Sequence, residues 1–420
     1  MRRGILPLLL LFGIAGVRCS DLVGVGIDFN ILRSSLRERK PQGTQAIAPE
    51  LLRRIEGVYT TVEGHQEFGD SIVVRERGGG VSIFCGTANA AFVVLNAGTS
   101  GDTLRMEGYW RYAYRTETGF ASLTLLPDEG GRALRDTSLP RTGFILRGAI
   151  GSGENAPDRT IRLDRVRDIP ADTVFQVMGH RGGGRNSDLH PYSENSVEMI
   201  QFAERLGCTG VEIDIQLTLD SVPVLYHDQT INTRLIQGDY LIGPISNYSF
   251  NQLRRFARLK QGERIPTLAE ALDAIITSTQ LREVWLDIKS RDVLRVIQPI
   301  LASARSSAQA HGRTVEFLSG LPDDDVLAAW QKLPQATRGP SICELSPSIV
   351  RSINATVWAP RWTIGAQLDE VRAMHAEGRR AFVWTLDQPV LIAEFLRNGE
   401  YDAILTNYPT VLAWHEGMRR

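Results

Sequence analysis

The chain has 420 residues, 43% hydrophobic and 23% charged, with a formal net charge of −1. That length exceeds one ordinary core, so two folded units are expected, one of them large. The near-neutral balance excludes the basic footprint of a nucleic-acid-binding protein. The four cysteines, Cys19, Cys85, Cys208 and Cys343, are far apart and form no CxxC pair, so neither a disulfide framework nor a structural zinc site is expected.

Residues 1–18 open with Arg2 and Arg3, followed by the apolar run Ile5 to Val17. That run is shorter than the roughly 20 residues a membrane-crossing helix needs. It has the outline of a signal peptide or lipoprotein signal. Small residues at Gly13 and Ala15 suit ordinary cleavage, and Gly16-Val17-Arg18-Cys19 resembles a loose lipobox in which Cys19 would carry the lipid. Export is the expectation, to the periplasm, to the exterior, or to a membrane surface through a lipidated Cys19. Residues 19–50 show no sustained period and are read as a linker.

Residues 51–168 carry a β signal. Leu104, Met106, Trp110, Tyr112 and Tyr114 alternate with Arg105, Glu107, Arg111 and Arg115, the period of a half-buried antiparallel strand. About eight such runs, separated by turns rich in Gly, Asn and Asp, predict a small all-β barrel, lipocalin-like, or else a sandwich. No chemical constellation appears in it, and packing or docking against the rest of the chain is the leading role expected.

Residues 173–420 alternate apolar runs with helical patterns. This is the grammar of parallel βα units, and its length suits a (β/α)₈ TIM barrel. The fold class is therefore α/β, a TIM barrel preceded by a small all-β barrel or sandwich. Nine runs read as strands, one of them accessory, expected among the last few. The stretch from Phe250 to Arg264 reads as an inserted loop and helix.

In such barrels chemistry sits at the C-terminal ends of the strands. Four places there carry polar residues. Met178-Gly179 runs into His180-Arg181 and the glycines 182–184, a turn that could admit an anionic group close to backbone N–H groups. In Val211-Glu212-Ile213-Asp214-Ile215, the two acids lie two apart and share one face. Paired carboxylates repel unless a cation or a shared proton lies between them, and an all-oxygen pair suits Ca²⁺ or Mg²⁺. The third run ends at His227-Asp228. With His180 it supplies two imidazoles for acid and base roles near neutral pH. The fourth, Trp285-Leu286-Asp287-Ile288-Lys289, turns an acid and an amine to one face. They form either a simple ion pair or a third metal ligand beside a phosphate-neutralising cation.

Taken in order, His180-Arg181-Gly182, Glu194-Asn195-Ser196, Glu212-x-Asp214, His227-Asp228 and Asp287-Ile288-Lys289 resemble the glycerophosphodiester phosphodiesterase signature. Ile265-Pro266-Thr267-Leu268, Trp384-Thr385 and Ile404-Leu405-Thr406-Asn407-Tyr408-Pro409 resemble its later motifs, so the likeness runs from about Gln176 to Thr410. The resemblance implies that Glu212, Asp214 and Asp287 bind one divalent cation, Ca²⁺ or Mg²⁺. It makes His180 and His227 the catalytic pair and gives Arg181 and Lys289 to the phosphate. Glu194 and Asn195 would order the site, and Trp384 would wall the alcohol pocket. The implied reaction splits a small-molecule glycerophosphodiester, such as glycerophosphocholine or glycerophosphoethanolamine, into glycerol 3-phosphate and an alcohol. Three departures stand out: Asp287 where the family usually has Glu, Asn407 where it usually has Asp, and a long polar loop from Gly183 to Tyr192. Two other readings are an enzyme of the phospholipase-D or sphingomyelinase-D kind acting on intact lipid, and an inactive barrel whose β unit binds glycan or lipid.

Overall fold

The computed structural model describes residues 39–153, 155–170 and 175–419. The leader read over residues 1–18, Cys19 and most of the 19–50 linker lie outside them. Among the described residues, no helix is long and apolar enough to cross a membrane.

Eight strands form the first unit: β1 (Gly57–Glu63), β2 (Ser71–Arg77), β3 (Gly80–Cys85), β4 (Ala91–Ser100), β5 (Thr103–Tyr112), β6 (Thr118–Leu125), β7 (Ile145–Ile150) and β8 (Arg159–Arg167). Each pairs antiparallel with the next, and β8 returns to β1, so the sheet is a closed up-and-down barrel. Closure removes both sheet edges. Every second residue points inward: Ile72 and Val74, Val81 and Ile83, Val93 and Leu95, Leu104 and Met106, Leu123 and Leu125, Ile161 and Leu163. These side chains, with Trp110 and Phe144, fill the interior. The barrel is a solid core.

The second unit is the TIM barrel. Its parallel strands are β9 (Gln176–Gly179), β10 (Gly210–Leu217), β14 (Glu283–Ile288), β15 (Glu316–Leu321), β16 (Ser341–Cys343), β17 (Val357–Trp358), β18 (Arg380–Val383) and β19 (Ala403–Thr406). They pair in that order, and β19 pairs with β9 to close the ring. Helices α1 (Val197–Ala203), α2 (Phe250–Phe256), α3 (Leu268–Ser278), α4 (Arg291–Ala310), α5 (Asp324–Lys332), α6 (Pro347–Ser352), α7 (Leu368–Ala376), α8 (Pro389–Asn398) and α9 (Pro409–Met418) lie among them; all but α2 follow barrel strands. Caps start several of these helices. Ser196 accepts from the Met199 N–H at α1, Asp323 from Val326 at α5, and Thr267 forms a reciprocal capping box with Glu270 at α3, each satisfying an otherwise orphaned donor.

All nine predicted runs form strands, but the accessory one is not among the last. It is β11 (Pro223–Leu225), which turns back antiparallel on β10, Leu217 opposite Pro223. Only five residues, 218–222, join the two strands, and a parallel neighbour needs a crossover of about a dozen or more. The hairpin carries the chain into a lobe over residues 226–265. The lobe contains a two-stranded ribbon, β12 (Thr230–Ile231) with β13 (Gly243–Pro244), helix α2 and its own small core.

The two barrels share a core. Val73, Phe84, Phe92, Val94, Tyr109 and Phe120 on the outer face of the first pack against Met199, Leu206 and Ala413 of the second. Polar contacts ring it. The Arg205 guanidinium donates to Leu95 O (2.7 Å), Ser82 Oγ to Arg205 O (2.8 Å) and Trp414 Nε1 to Ser71 O (3.0 Å). Arg75 pairs with Glu416. Gly86 permits the approach: a Cβ there would stand 2.2 Å from the Trp414 ring. Cys85, Cys208 and Cys343 are free and buried, behaving as small hydrophobes.

Candidate active site

β10 and β14 lie side by side with Asp214 opposite Asp287. Val211, Ile213 and Ile215 face outward into the helix layer, as do Val284, Leu286 and Ile288. The alternation leaves Glu212, Asp214, Asp287 and Lys289 on the inner face. Oxygens of the three acids lie within 4.8 Å of one another. Lys289 Nζ stands 2.6 Å from Asp214 Oδ1 and 2.6 Å from Asp287 Oδ2. One ammonium against three carboxylates leaves the cluster negative. Burial, with Asp214 and Asp287 adding to it, pushes Glu212 well above the usual carboxylate range. Burial also raises Asp287. At Asp214 burial acts in the same direction, but Lys289 and the two histidines outweigh it and hold the acid below its ordinary value. Glu212 Oε1 is buried with no hydrogen-bond partner. An orphaned carboxylate oxygen is costly, and this all-oxygen donor set with its excess negative charge fits a hard divalent cation.

His180 follows β9. Its Nδ1 meets Asn407 Oδ1 at 2.8 Å, and its Nε2 lies 3.7 Å from Glu212 Oε2. Burial and then the neighbouring Arg181 lower its pKa to about 4, so the ring is neutral at physiological pH. Asn407 is itself held by Asp387, whose carboxylate accepts from the Asn407 backbone N–H (2.9 Å) and side-chain Nδ2 (2.8 Å).

His227 reaches the site by the hairpin, Tyr226 N–H bonding Asp214 O at 3.1 Å. Its Nδ1 lies 2.7 Å from Asp228 Oδ1, and its Nε2 lies 2.8 Å from Arg181 Nη2. Arginine only donates, so Nε2 accepts and Nδ1 carries the proton toward Asp228. Arg181 Nη1 continues to Glu194 Oε1 (2.9 Å), and Arg234 joins Glu194 (3.0 Å) to Asp228 (2.6 Å). Arg181, Glu194, Arg234, Asp228 and His227 thus form a closed ring. Arg181 also gives its backbone N–H to Glu212 Oε2 at 2.8 Å, from a left-handed backbone with φ 53°. Asn195 Nδ2 donates to Asp214 Oδ2 (2.6 Å), while its Oδ1 accepts the Asp214 N–H (3.1 Å).

The ten sequence-predicted residues therefore converge on one barrel mouth, with two qualifications. Lys289 is engaged by the acids, which is the ion-pair alternative. Trp384 faces inward at the rim, its Nε1 donating to Ala359 O (2.9 Å) and the Arg361 guanidinium 4.6 Å over its ring. The glycine turn is also packed more closely than an open anion cradle would be. A Cβ at Gly183 would meet Met199 at 2.6 Å and one at Gly184 would meet His190 at 2.5 Å.

Sequence reading missed Arg234, Asp387 and Glu344. Arg234 lies in the lobe, where no period guides the eye. Asp387 stands two residues after Trp384-Thr385, and its nearness to that motif was the available signal. Glu344 follows β16 and is raised to about 8 by burial and by Asp287.

Residues 180–299 match the model of the glycerophosphoryl diester phosphodiesterase family. The chain is 40% identical over 111 residues to glycerophosphodiester phosphodiesterase 1 of Rattus norvegicus, covering 24% of this chain and 30% of the relative. It is 33% identical over 124 residues to glycerophosphodiester phosphodiesterase of Caldanaerobacter subterraneus, covering 28% and 46%. The chain thus spans less than half the length of these curated relatives. A glycerophosphodiester phosphodiesterase structure from Parabacteroides distasonis aligns over 57% of this chain and 95% of its own, at 22% identity and a TM-score of 0.44. By its ordered motifs and its matched segment, residues 180–299, the TIM barrel of this chain is similar to the glycerophosphodiester phosphodiesterase family.

Proposed function

We propose that the chain is a metal-dependent phosphoric diester hydrolase that splits glycerophosphodiesters, with glycerophosphocholine and glycerophosphoethanolamine the first substrates to try, into glycerol 3-phosphate and the free alcohol. The observation that carries this reading is the meeting of three carboxylates within 4.8 Å, one with an orphaned oxygen, beside two imidazoles that each have Nδ1 on a side-chain oxygen, an amide for His180 and a carboxylate for His227. Glu212, Asp214 and Asp287 would hold one Ca²⁺ or Mg²⁺, which when bound supplies Lewis acidity to a phosphate oxygen. His180, neutral and with Nε2 as its free nitrogen, takes the proton of the attacking hydroxyl or water. His227 protonates the leaving alkoxide, a role that requires Arg181 Nη2 to leave Nε2 for the phosphate so that Nε2 can carry a proton. Asp228 behind its Nδ1 stabilises the charged ring that this role requires. Arg181 offers the cationic edge to the phosphate, and Lys289 tempers the negative charge of the acids. The N-terminal pattern supports action outside the cytoplasm.

The test is release of glycerol 3-phosphate by purified protein from each diester, with Ca²⁺ or Mg²⁺ and with chelator, beside His180→Ala. Release that needs both metal and His180 is the expected result. No release with either metal would sink this reading.

A second reading has one observation in its favour. Leu219 on the β10–β11 turn and Tyr240, Ile242 and Phe256 on the lobe are large apolar residues at least half exposed, and the lobe also supplies Arg234 to the site. Such a surface suits an enzyme that meets lipid. Cleavage of lysophospholipid in vesicles, faster than of any water-soluble diester, would favour it.

A further inference from the structure

We propose that the antiparallel barrel is part of the catalytic apparatus: Tyr114, acting through Asp387 and Asn407, sets which nitrogen of His180 is free to accept a proton. The proposal rests on the hydrolase reading above for its consequence, though its physical content is the state of one imidazole.

Tyr114 lies in the turn after β5, outside the TIM barrel. Its hydroxyl donates to the backbone carbonyl of Asp387, in the loop after β18. Its ring packs on Tyr408, in the loop after β19, with centroids 4.5 Å apart. Asn407, beside Tyr408 in that second loop, is bonded across to Asp387 in the first. Arg111, on β5, donates to Leu189 O in a third loop, the long one after β9. One edge of the first barrel therefore grips three loops of the catalytic face. Burial pushes the Tyr114 phenol above its ordinary range, so it stays a donor.

The chain of orientation has no free choice in it. A carboxylate only accepts, so Asp387 takes the Nδ2 end of the Asn407 amide, at 2.8 Å. The Oδ1 end is thereby turned to His180, 2.8 Å from Nδ1. A neutral imidazole has one donor and one acceptor nitrogen. Nδ1 must donate, and Nε2 is left as the acceptor facing the acids. Were the amide to flip, its N–H would face Nδ1, the proton would move to Nε2, and the base would be blocked. Tyr114, Asp387 and Asn407 are positioning residues in this account, since none meets the reacting atoms.

The test uses the full chain in Mg²⁺ with ¹⁵N-labelled histidine. His180 is assigned by the signal lost in His180→Gln. Wild type should show the Nδ1–H form of the ring. Asp387→Asn, which can donate where Asp387 accepts, should shift His180 toward the Nε2–H form. It should also lower kcat by about 10²-fold or more with KM nearly unchanged, as expected when an orienting carboxylate is lost behind a catalytic histidine. Tyr114→Phe should move both readouts in the same direction by less, about tenfold in kcat. Tyr59→Phe, which removes a buried hydroxyl bonded to Ile55 O inside the same barrel, should move neither. A wild-type ring in the Nε2–H form, or an Asp387→Asn ring that stays Nδ1–H, would overturn the proposal. Because the tautomer is read directly, that failure is distinct from the hydrolase reading's own, which is absence of glycerol 3-phosphate release.

Discussion

The molecule holds two closed eight-stranded barrels, one inert inside and one carrying a cluster of charge. In the antiparallel barrel the inward positions are mostly apolar, Thr61 on β1 being a buried exception, and the links between strands are short except the one from β6 to β7, which holds the helical turn Gly131–Arg135. In the TIM barrel the inward positions are apolar only in the middle. Glu283, Glu316 and Arg380 pair at the N-terminal end of the strands, Met178, Trp285, Ile342 and Phe382 fill the ring, and Glu212, Asp214, Asp287 and Lys289 occupy the C-terminal end. The comparison teaches that closure alone creates no site. The parallel barrel sends all its strand ends to one face and follows each with a loop, so polar side chains from distant parts of the chain converge there. The antiparallel barrel splits its turns between two ends and brings together nothing comparable.

The sharpest way to break this contrast is at the acids. Asp214→Asn should cost roughly 10³-fold or more in diester hydrolysis by weakening the cation site, and a thermal melt of the variant should keep the wild-type cooperative transition. His227→Ala should cost about 10²–10⁴-fold in kcat, measured by single-turnover release of product. The inert barrel should respond in the opposite currency. Leu123→Ala, at a fully buried inward position, should remove on the order of 2–5 kcal/mol of stability in urea unfolding while the activity of the folded fraction changes little. A large loss of activity per folded molecule there would mean that the first barrel's packing reaches the site more broadly than through Tyr114.

The smallest expected effect is on pH stability. Burial lowers His180 and His190 to about 4, below the ordinary imidazole value of about 6.5. Both bind protons more readily when unfolded, so their contribution is complete above about pH 6.5 and is lost as pH falls toward 4. Each should account for on the order of 3 kcal/mol across that window. His190→Asn should flatten the acid limb of the stability curve by about one share, as read from urea midpoints at pH 7 and pH 4.5.

Much of this was legible in the chain itself. The i, i+2 spacing of Glu212 and Asp214, and of Asp287 and Lys289, placed all four on the inner face, because strand direction alternates with period two whatever the fold. Pairing direction is not written in that period. The accessory strand was therefore misplaced, although the five-residue link before it already ruled out a parallel neighbour. Contacts that depend on distance were beyond reach. Lys289 facing inward could be read; its pairing with both Asp214 and Asp287 could not. Arg234 and Asp387 sit in irregular segments where only the folded chain shows what they touch. The closed β unit was read as barrel or sandwich, since the same alternation serves both and only the β1–β8 pairing decides.

Around the apolar core of the seam between the barrels, most polar contacts are side-chain donors that end on main-chain oxygen. Ser82 reaches Arg205 O, Arg205 reaches Leu95 O, Trp414 reaches Ser71 O, Arg167 reaches Met418 O, Arg111 reaches Leu189 O and Tyr114 reaches Asp387 O. Every residue type offers the same carbonyl. The seam therefore constrains inheritance on one side only: a donor cannot drift without breaking its bond, whereas the residue it grips is free to mutate as far as that bond is concerned. Over long divergence the two barrels can exchange surface residues at the acceptor positions and stay docked, so that the pair is passed on as a unit even as the residues along its join become unrecognisable.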